Sequence, residues 1–242
     1  MTSISHGLLS SVVDRIARFD AVLFYAGGVL VLPDPTVLRP LLAPYGGVDD
    51  SASHRRTHYA GMAHKSHARS DERDWYSYNV AYVAAVGVRT GLLEHAAEVL
   101  DHTRSAHLWR WPIPETLQAL RLLSDADVPM GVVSNASGQI EEVLLRSGIC
   151  QQGDGPGVSM RVVVDSHVVG VAKPDPRIFD HALQHFGEFD PARILYVGDS
   201  VTMDVAGAGA AGLHPVLIDP YDDHAGADFE RISSVHEIVA WF

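Results

Sequence analysis

Hydrophobic positions along this chain fall into short unbroken runs separated by amphipathic or polar stretches. Five runs stand out: Ala21–Phe24, Met130–Val133, Arg161–Val164, Ile194–Val197 and Pro215–Ile218. Each ends in a turn or a polar residue. They are rich in Val, Ile and Leu and do not alternate with polar residues, the pattern of strands buried on both faces of a parallel sheet. Helical periodicity fills the gaps between the later runs. Pro114-Glu115-Thr116 opens one helix, with Leu117, Leu120 and Leu123 on a single face and a proline suited to a first turn. Others are predicted over about 139–147, 176–186 and 203–211.

Alternation of strand and helix at this spacing predicts βαβ units, hence an α/β fold with a doubly wound, Rossmann-like parallel sheet. Between the first and second runs no comparable apolar segment occurs. Residues from roughly Thr36 to Leu108 read as helices rich in Ala, His, Arg and Tyr, bracketed by Pro33-Asp34-Pro35 and Trp111-Pro112-Ile113-Pro114, which have the composition of hinges. The expectation is a core domain formed by residues 1–32 and 109–242, with a helical cap domain, residues 33–108, inserted into it.

Composition narrows the function classes. A formal net charge of −12 argues against nucleic acid or an anionic membrane surface as partner. The stretch Met1–Asp20 has apolar runs too short for a secretion signal, and no segment approaches the ~18 apolar residues of a membrane span. Cys150 is the only cysteine, which excludes an intramolecular disulfide and fits a reducing compartment. A cytoplasmic protein acting on a small molecule is expected; oligomeric state is not legible.

In open parallel sheets ligands bind at the carboxyl ends of the strands. The first run leads into Tyr25-Ala26-Gly27-Gly28. The second ends in Ser134-Asn135, and the fourth in Gly198-Asp199-Ser200 with Asp204 following. Ahead of the fourth lies Ala172-Lys173-Pro174-Asp175-Pro176. Ser134 and the Asn135 amide offer neutral donors to an oxyanion, and Lys173 supplies a point positive charge. Asp199 and Asp204 form a carboxylate pair suited to a hard cation.

In the order and spacing of these motifs, from about Asp20 to Asp219, the chain resembles the haloacid dehalogenase superfamily, in its subgroup with a helical cap after the first strand. That resemblance implies Mg²⁺-dependent hydrolysis through an aspartyl-phosphate, with the nucleophile at the end of the first strand and an acid/base aspartate two positions later. Here those positions hold Tyr25 and Gly27. A branch of the family carries Gly-Gly at the second position, but tyrosine at the first is a departure. A phenol, with a pKa near ~10, is neutral at pH 7 and larger than a carboxylate. It is expected neither to attack phosphorus nor to hold Mg²⁺, so Asp199 and Asp204 are left as a weak or vacant Mg²⁺ site.

Three readings follow. The pocket could be repurposed for another reaction on a small anionic metabolite, with Tyr25, Ser134, Lys173 and Asp199 as catalytic groups. It could bind an anion without turnover, through Gly27, Gly28, Ser134, Asn135 and Lys173. Or it could be a phosphatase disabled at one position, in which case Tyr25→Asp restores some activity.

One further stretch departs from the acidic background. His54, Arg55, Arg56, His58, His64, Lys65, His67, Arg69 and Arg73 precede Trp75, Tyr76 and Tyr78. The expectation is a solvated helix face, with substrate contact as the alternative. His54 and His58 at i, i+4 have metal-ligand spacing but no evident third ligand.

Overall fold

The computed structural model describes residues 17–69 and 75–242. The amino-terminal stretch weighed above as a secretion signal lies outside the described residues as far as Ile16, and so does Arg73. No helix among the described residues is long and apolar enough to cross a membrane.

Strand β1 (Ala21–Phe24) is followed by a short strand β2 (Val31–Pro33), which leaves the sheet region. Four helices come next: α1 (Pro35–Leu42), α2 (Ser51–His67), α3 (Tyr76–Ala85) and α4 (Leu93–Thr103). Asp34 caps α1 by accepting from the Thr36 amide, and Asp50 caps α2 by accepting from the Ser53 amide. Strand β3 (Trp109–Pro112) brings the chain back and pairs antiparallel with β2. The two proline-rich segments read as hinges are therefore partners: both connections of the insertion run side by side as one ribbon.

The remaining chain builds the rest of the core. Helix α5 (Pro114–Asp125) starts at Pro114 and leads to β4 (Met130–Ser134), α6 (Ile140–Arg146) and a small parallel pair, β5 (Cys150–Gln152) with β6 (Val158–Met160). Then follow β7 (Val163–Asp165), α7 (Ser166–Val169), α8 (Arg177–Leu183), β8 (Ile194–Gly198), α9 (Ala206–Ala210), β9 (His214–Ile218) and β10 (Arg231–Ile232). The main sheet has order β10-β9-β8-β1-β4-β7, with every pair parallel.

Alternate residues of β1 feed two different cores. Val22 and Phe24 pack with Leu120 and Leu123 of α5, whereas Ala21 and Leu23 pack with Ile178 and Phe179 of α8. A third cluster, including Leu38, Leu42, Met62, Tyr82 and Leu100, belongs to the helical insertion. Because β1 has β8 on one side and β4 on the other, the strand order reverses at β1. The crevice beyond its carboxyl end is thus the topological place for a ligand.

Candidate functional site

The backbone leaving β1 makes a tight approach to β8. The Tyr25 amide donates to the Val197 carbonyl at 2.8 Å. Gly28 adopts φ +69°, and a Cβ there would lie 2.0 Å from Asp199 Oδ2. Only glycine tolerates both the left-handed backbone and this contact. A Cβ on Gly27 would meet the Tyr25 hydroxyl and the Trp109 ring at 3.2 Å each, so the phenol occupies space into which a longer residue at 27 would project.

Lys173 and Asp204 are used differently from the sequence expectation. Lys173 does not reach out to an anion beside Ser134. Its ammonium is buried, 2.5 Å from Asp204 Oδ1 and 2.7 Å from the Tyr196 hydroxyl, and it sits 3.6 Å from the centroid of the Tyr25 ring. The phenyl face covers a cation already neutralised by a carboxylate. Asp204 is saturated: Oδ1 also accepts from Tyr196, and Oδ2 accepts the amides of Asp199 and Ser200, both at 3.0 Å. Asn135 is engaged with the backbone of Lys173, donating to its carbonyl and accepting from its amide.

Asp199 faces the insertion. Its Oδ2 lies 3.2 Å from His58 Nε2, and His58 Nδ1 lies 3.0 Å from the Tyr78 hydroxyl. Asp199 Oδ1 is buried with no hydrogen-bond partner. Burial pushes the Asp199 carboxyl well above the usual carboxylate range, reinforced by the charge of Asp204. Burial, and then the nearby Arg55 charge, pushes His58 down to about 3. Desolvation thus favours the uncharged form of both partners. Tyr59 fastens the same helix by donating to the Gly28 carbonyl at 2.6 Å.

The solvated-face expectation for residues 53–79 fails at its centre. His54, His58 and Lys65 are buried, on a face of α2 that packs against α3 and the sheet edge. Arg69 and His67 fit the original expectation, being exposed. His54 and His58 do not share a ligand: His54 Nδ1 pairs with Tyr82, not with the partner of His58. His58, Lys65 and Trp75, for which substrate contact was only the alternative expectation, border the site, and Arg104, Trp109 and His167 join it with no assignment from sequence.

Tyr25 divides the crevice. On its outer side is an open cleft of about 640 Å³, lined among others by Trp75, Arg104, Trp109, Ser134, Asn135 and His167. On its inner side a hollow of about 10 Å³ is bordered by Lys65, Asn135, Lys173, Asp199 and Asp204. Lys173, Asp199 and Asp204 do not line the outer cleft. Ser134 therefore opens onto a different space from the lysine expected to join it, whereas Asn135 borders both.

The inner hollow does not fit Mg²⁺. That ion demands near-octahedral oxygen ligation and usually keeps several waters, whereas ~10 Å³ holds at most one. Asp204 has no acceptor capacity left, and two lysines border the space. Among the described residues no group of three or more His, Cys, Asp or Glu side chains is placed to hold a metal.

Comparison with known proteins adds a family context. The haloacid dehalogenase-like hydrolase family matches residues 19–212. The chain is 30% identical over 131 residues to the pyrimidine 5'-nucleotidase YjjG of Escherichia coli, covering 52% of this chain and 55% of that protein. It is 30% identical over 144 residues to a glyceraldehyde 3-phosphate phosphatase of Methanopyrus kandleri, covering 56% and 58% respectively. These matches span little more than half the length of either relative. The crystal structure of a HAD phosphatase from Thermococcus onnurineus superimposes with a TM-score of 0.56 over 90% of this chain and 95% of that one, at 23% identity, a likeness of fold.

Proposed function

The chain belongs to the haloacid dehalogenase-like hydrolase family, and from that premise we propose that it is a member in which aspartyl-phosphate chemistry is shut off and the outer cleft binds a small anionic metabolite. The observation that carries this reading is the Tyr25 ring lying 3.6 Å from the Lys173 ammonium, with that ammonium 2.5 Å from Asp204. A lysine held in this way neither meets a phosphoryl group in the cleft nor activates a nucleophile. No carboxylate stands at position 25, and the phenol of a tyrosine is a poor nucleophile at pH 7.

The outer cleft has the attributes of a binding site. Its volume lies within the range of small-molecule pockets. Arg104 contributes a cation, Ser134 and Asn135 contribute polar groups, and Trp75 and Trp109 contribute aromatic surface. The relatives are named as a pyrimidine 5'-nucleotidase and a glyceraldehyde 3-phosphate phosphatase, which favours a phosphorylated compound as the ligand class. Binding is favoured over a new reaction because the groups with the most perturbed protonation, Asp199 and His58, lie behind Tyr25 and away from the cleft.

Thermal unfolding in the presence of nucleoside monophosphates, triose phosphates and inorganic phosphate tests the proposal. A ligand present at ~100 times its Kd adds ~2.7 kcal/mol of stability, an upward shift of several degrees. Loss of that shift in Arg104→Met is expected; the absence of any shift across the whole panel would count against an anion-binding cleft.

A further inference from the structure

Helix α2 meets a core segment that the functional reading above leaves unused. Arg56, Tyr59 and His67 share one face of the helix at i, i+3 and i+11 spacing. All three face the loop 219–230 between β9 and β10. The Arg56 guanidinium donates to both carboxylate oxygens of Asp223, at 2.8 and 2.7 Å, and lies 4.8 Å from the centroid of the Tyr221 ring. The Tyr59 and Tyr221 ring centroids are 5.8 Å apart, and those of His67 and His224 are 5.0 Å apart. A planar fork on a carboxylate, with an aromatic ring beside the same guanidinium, fixes direction as well as distance. The loop is braced to present these groups. Asp219, at its start, accepts the Asp223 and His224 amides at 2.9 and 3.0 Å and a 2.8 Å bond from Arg231 of β10. Asp223 and His224 are therefore held by the core itself and not by the helix they meet.

We propose that the loop 219–230 is a clasp that keeps the helical insertion shut over the inner site. The inference goes beyond ligand binding in the outer cleft and does not depend on it. The clasp sits at the rim of the seam, where the Arg56 side chain is 43% exposed, whereas the groups behind it, His58 and Asp199, are 0% and 1% exposed. An ion pair at the rim can part without any strand or helix unfolding, which is what a release point requires. Deeper in the seam the same helix is joined to the core by the His58–Asp199 contact and by the Val201 amide donating to Ser66 Oγ at 3.3 Å. Release of Arg56 from Asp223 therefore sets how often the insertion lifts and reagents reach His58.

Acylation of histidines by diethyl pyrocarbonate at pH 7, mapped by peptide mass spectrometry, tests the clasp. The proteins are the unmodified chain, Arg56→Ala, Asp223→Ala, and the charge swap Arg56→Asp with Asp223→Arg. Exposed His95 supplies the reference rate, and His54, buried inside the insertion against Tyr82, reports loss of the insertion's own packing. In the unmodified chain His58 should resist the reagent. In both alanine variants its rate should rise at least about fivefold while His54 stays slow, because modification follows the population of the open form. The charge swap should bring the His58 rate below that of either alanine variant. A His58 rate unchanged in the alanine variants would overturn the proposal, as would a swap that gives no protection. A joint rise of His54 and His58 would also overturn it, since the contact would then support the insertion's fold and not its closure. The two alanine variants lie on opposite sides of the seam, so failure of one to fold leaves the other to decide. None of these results bears on anion binding in the outer cleft, which the thermal-shift experiment judges by itself.

Discussion

Lys173→Met should destabilise the protein by about 3 kcal/mol. The Lys173 and Asp204 side chains are 1% and 0% exposed, so solvent screening does not discount their interaction. Removing one member of a buried pair leaves an uncompensated charge and typically costs ~3–5 kcal/mol. Here Asp204 keeps three other donors, the Tyr196 hydroxyl and two backbone amides, which places the expectation at the lower end. The lost contact with the Tyr25 ring adds to the cost, although not independently. A lysine held ready for catalysis predicts the opposite sign, since functional sites commonly trade stability for activity and their removal is neutral or stabilising. The assay is equilibrium urea unfolding at pH 7, with Arg177→Met as control. Its partner is Asp175, on the surface, where solvent screening leaves the pair little weight in stability. A Lys173→Met midpoint within the control's range, or above that of the unmodified chain, would refute the assignment of this lysine to the fold.

Two further outcomes test neighbouring parts of the site. Gly28→Ala combines a left-handed backbone, costing ~1–2 kcal/mol, with a Cβ that collides with Asp199 Oδ2, costing ~1–3 kcal/mol; a loss of about 2–5 kcal/mol in urea unfolding is expected, and a loss under 1 kcal/mol would mean that the approach of this loop to Asp199 is wrong. His58 has a folded-state pKa pushed down to about 3, below the value near ~6.5 of the unfolded chain. The unfolded state therefore takes up this proton first, and the stability linked to neutral His58 is full above pH ~6.5 and declines towards pH 3. The raised Asp199 value acts in the other direction, with stability lost as pH rises through it. Comparison with His58→Gln isolates the histidine: the stability advantage of the unmodified chain should shrink between pH 7 and pH 5, and an advantage that stays level or grows on acidification would contradict a buried neutral imidazole.

The parallel sheet was legible because strands buried on both faces leave unbroken apolar runs, and the five runs found correspond to β1, β4, β7, β8 and β9 within a residue or two at most ends. The short strands β2 and β3 were not, because three or four residues containing prolines carry a turn signal rather than a strand signal; their pairing comes from the two connections having to pass the same point. β10 has two residues and no pattern of its own. At the site, Tyr25, Ser134, Asn135, Lys173, Asp199 and Asp204 were found because they stand at strand ends and in motifs. What spacing could not convey is on which side of the Tyr25 ring each would fall. The insertion was misjudged for a different reason. A run of His, Arg and Lys reads as polar, yet His54, His58, Met62 and Lys65 recur at helical spacing on one face of α2. That face is buried with Tyr82, Tyr78, Asp199 and Trp75 meeting its polar tips in turn, His54 through Nδ1 alone. The periodicity was present, but hydrophobicity alone did not reveal it.

The central claim is that this family member does not release phosphate through its inner site. The direct measurement is phosphate release from p-nitrophenyl phosphate at pH 7 with millimolar Mg²⁺, by the purified chain and by Tyr25→Phe. The account predicts that both match the enzyme-free rate. Mg²⁺-dependent turnover by the unmodified chain on the order of ~1 s⁻¹, as ordinary enzymes show, would contradict it; loss of that turnover in Tyr25→Phe would identify the phenol as the group responsible.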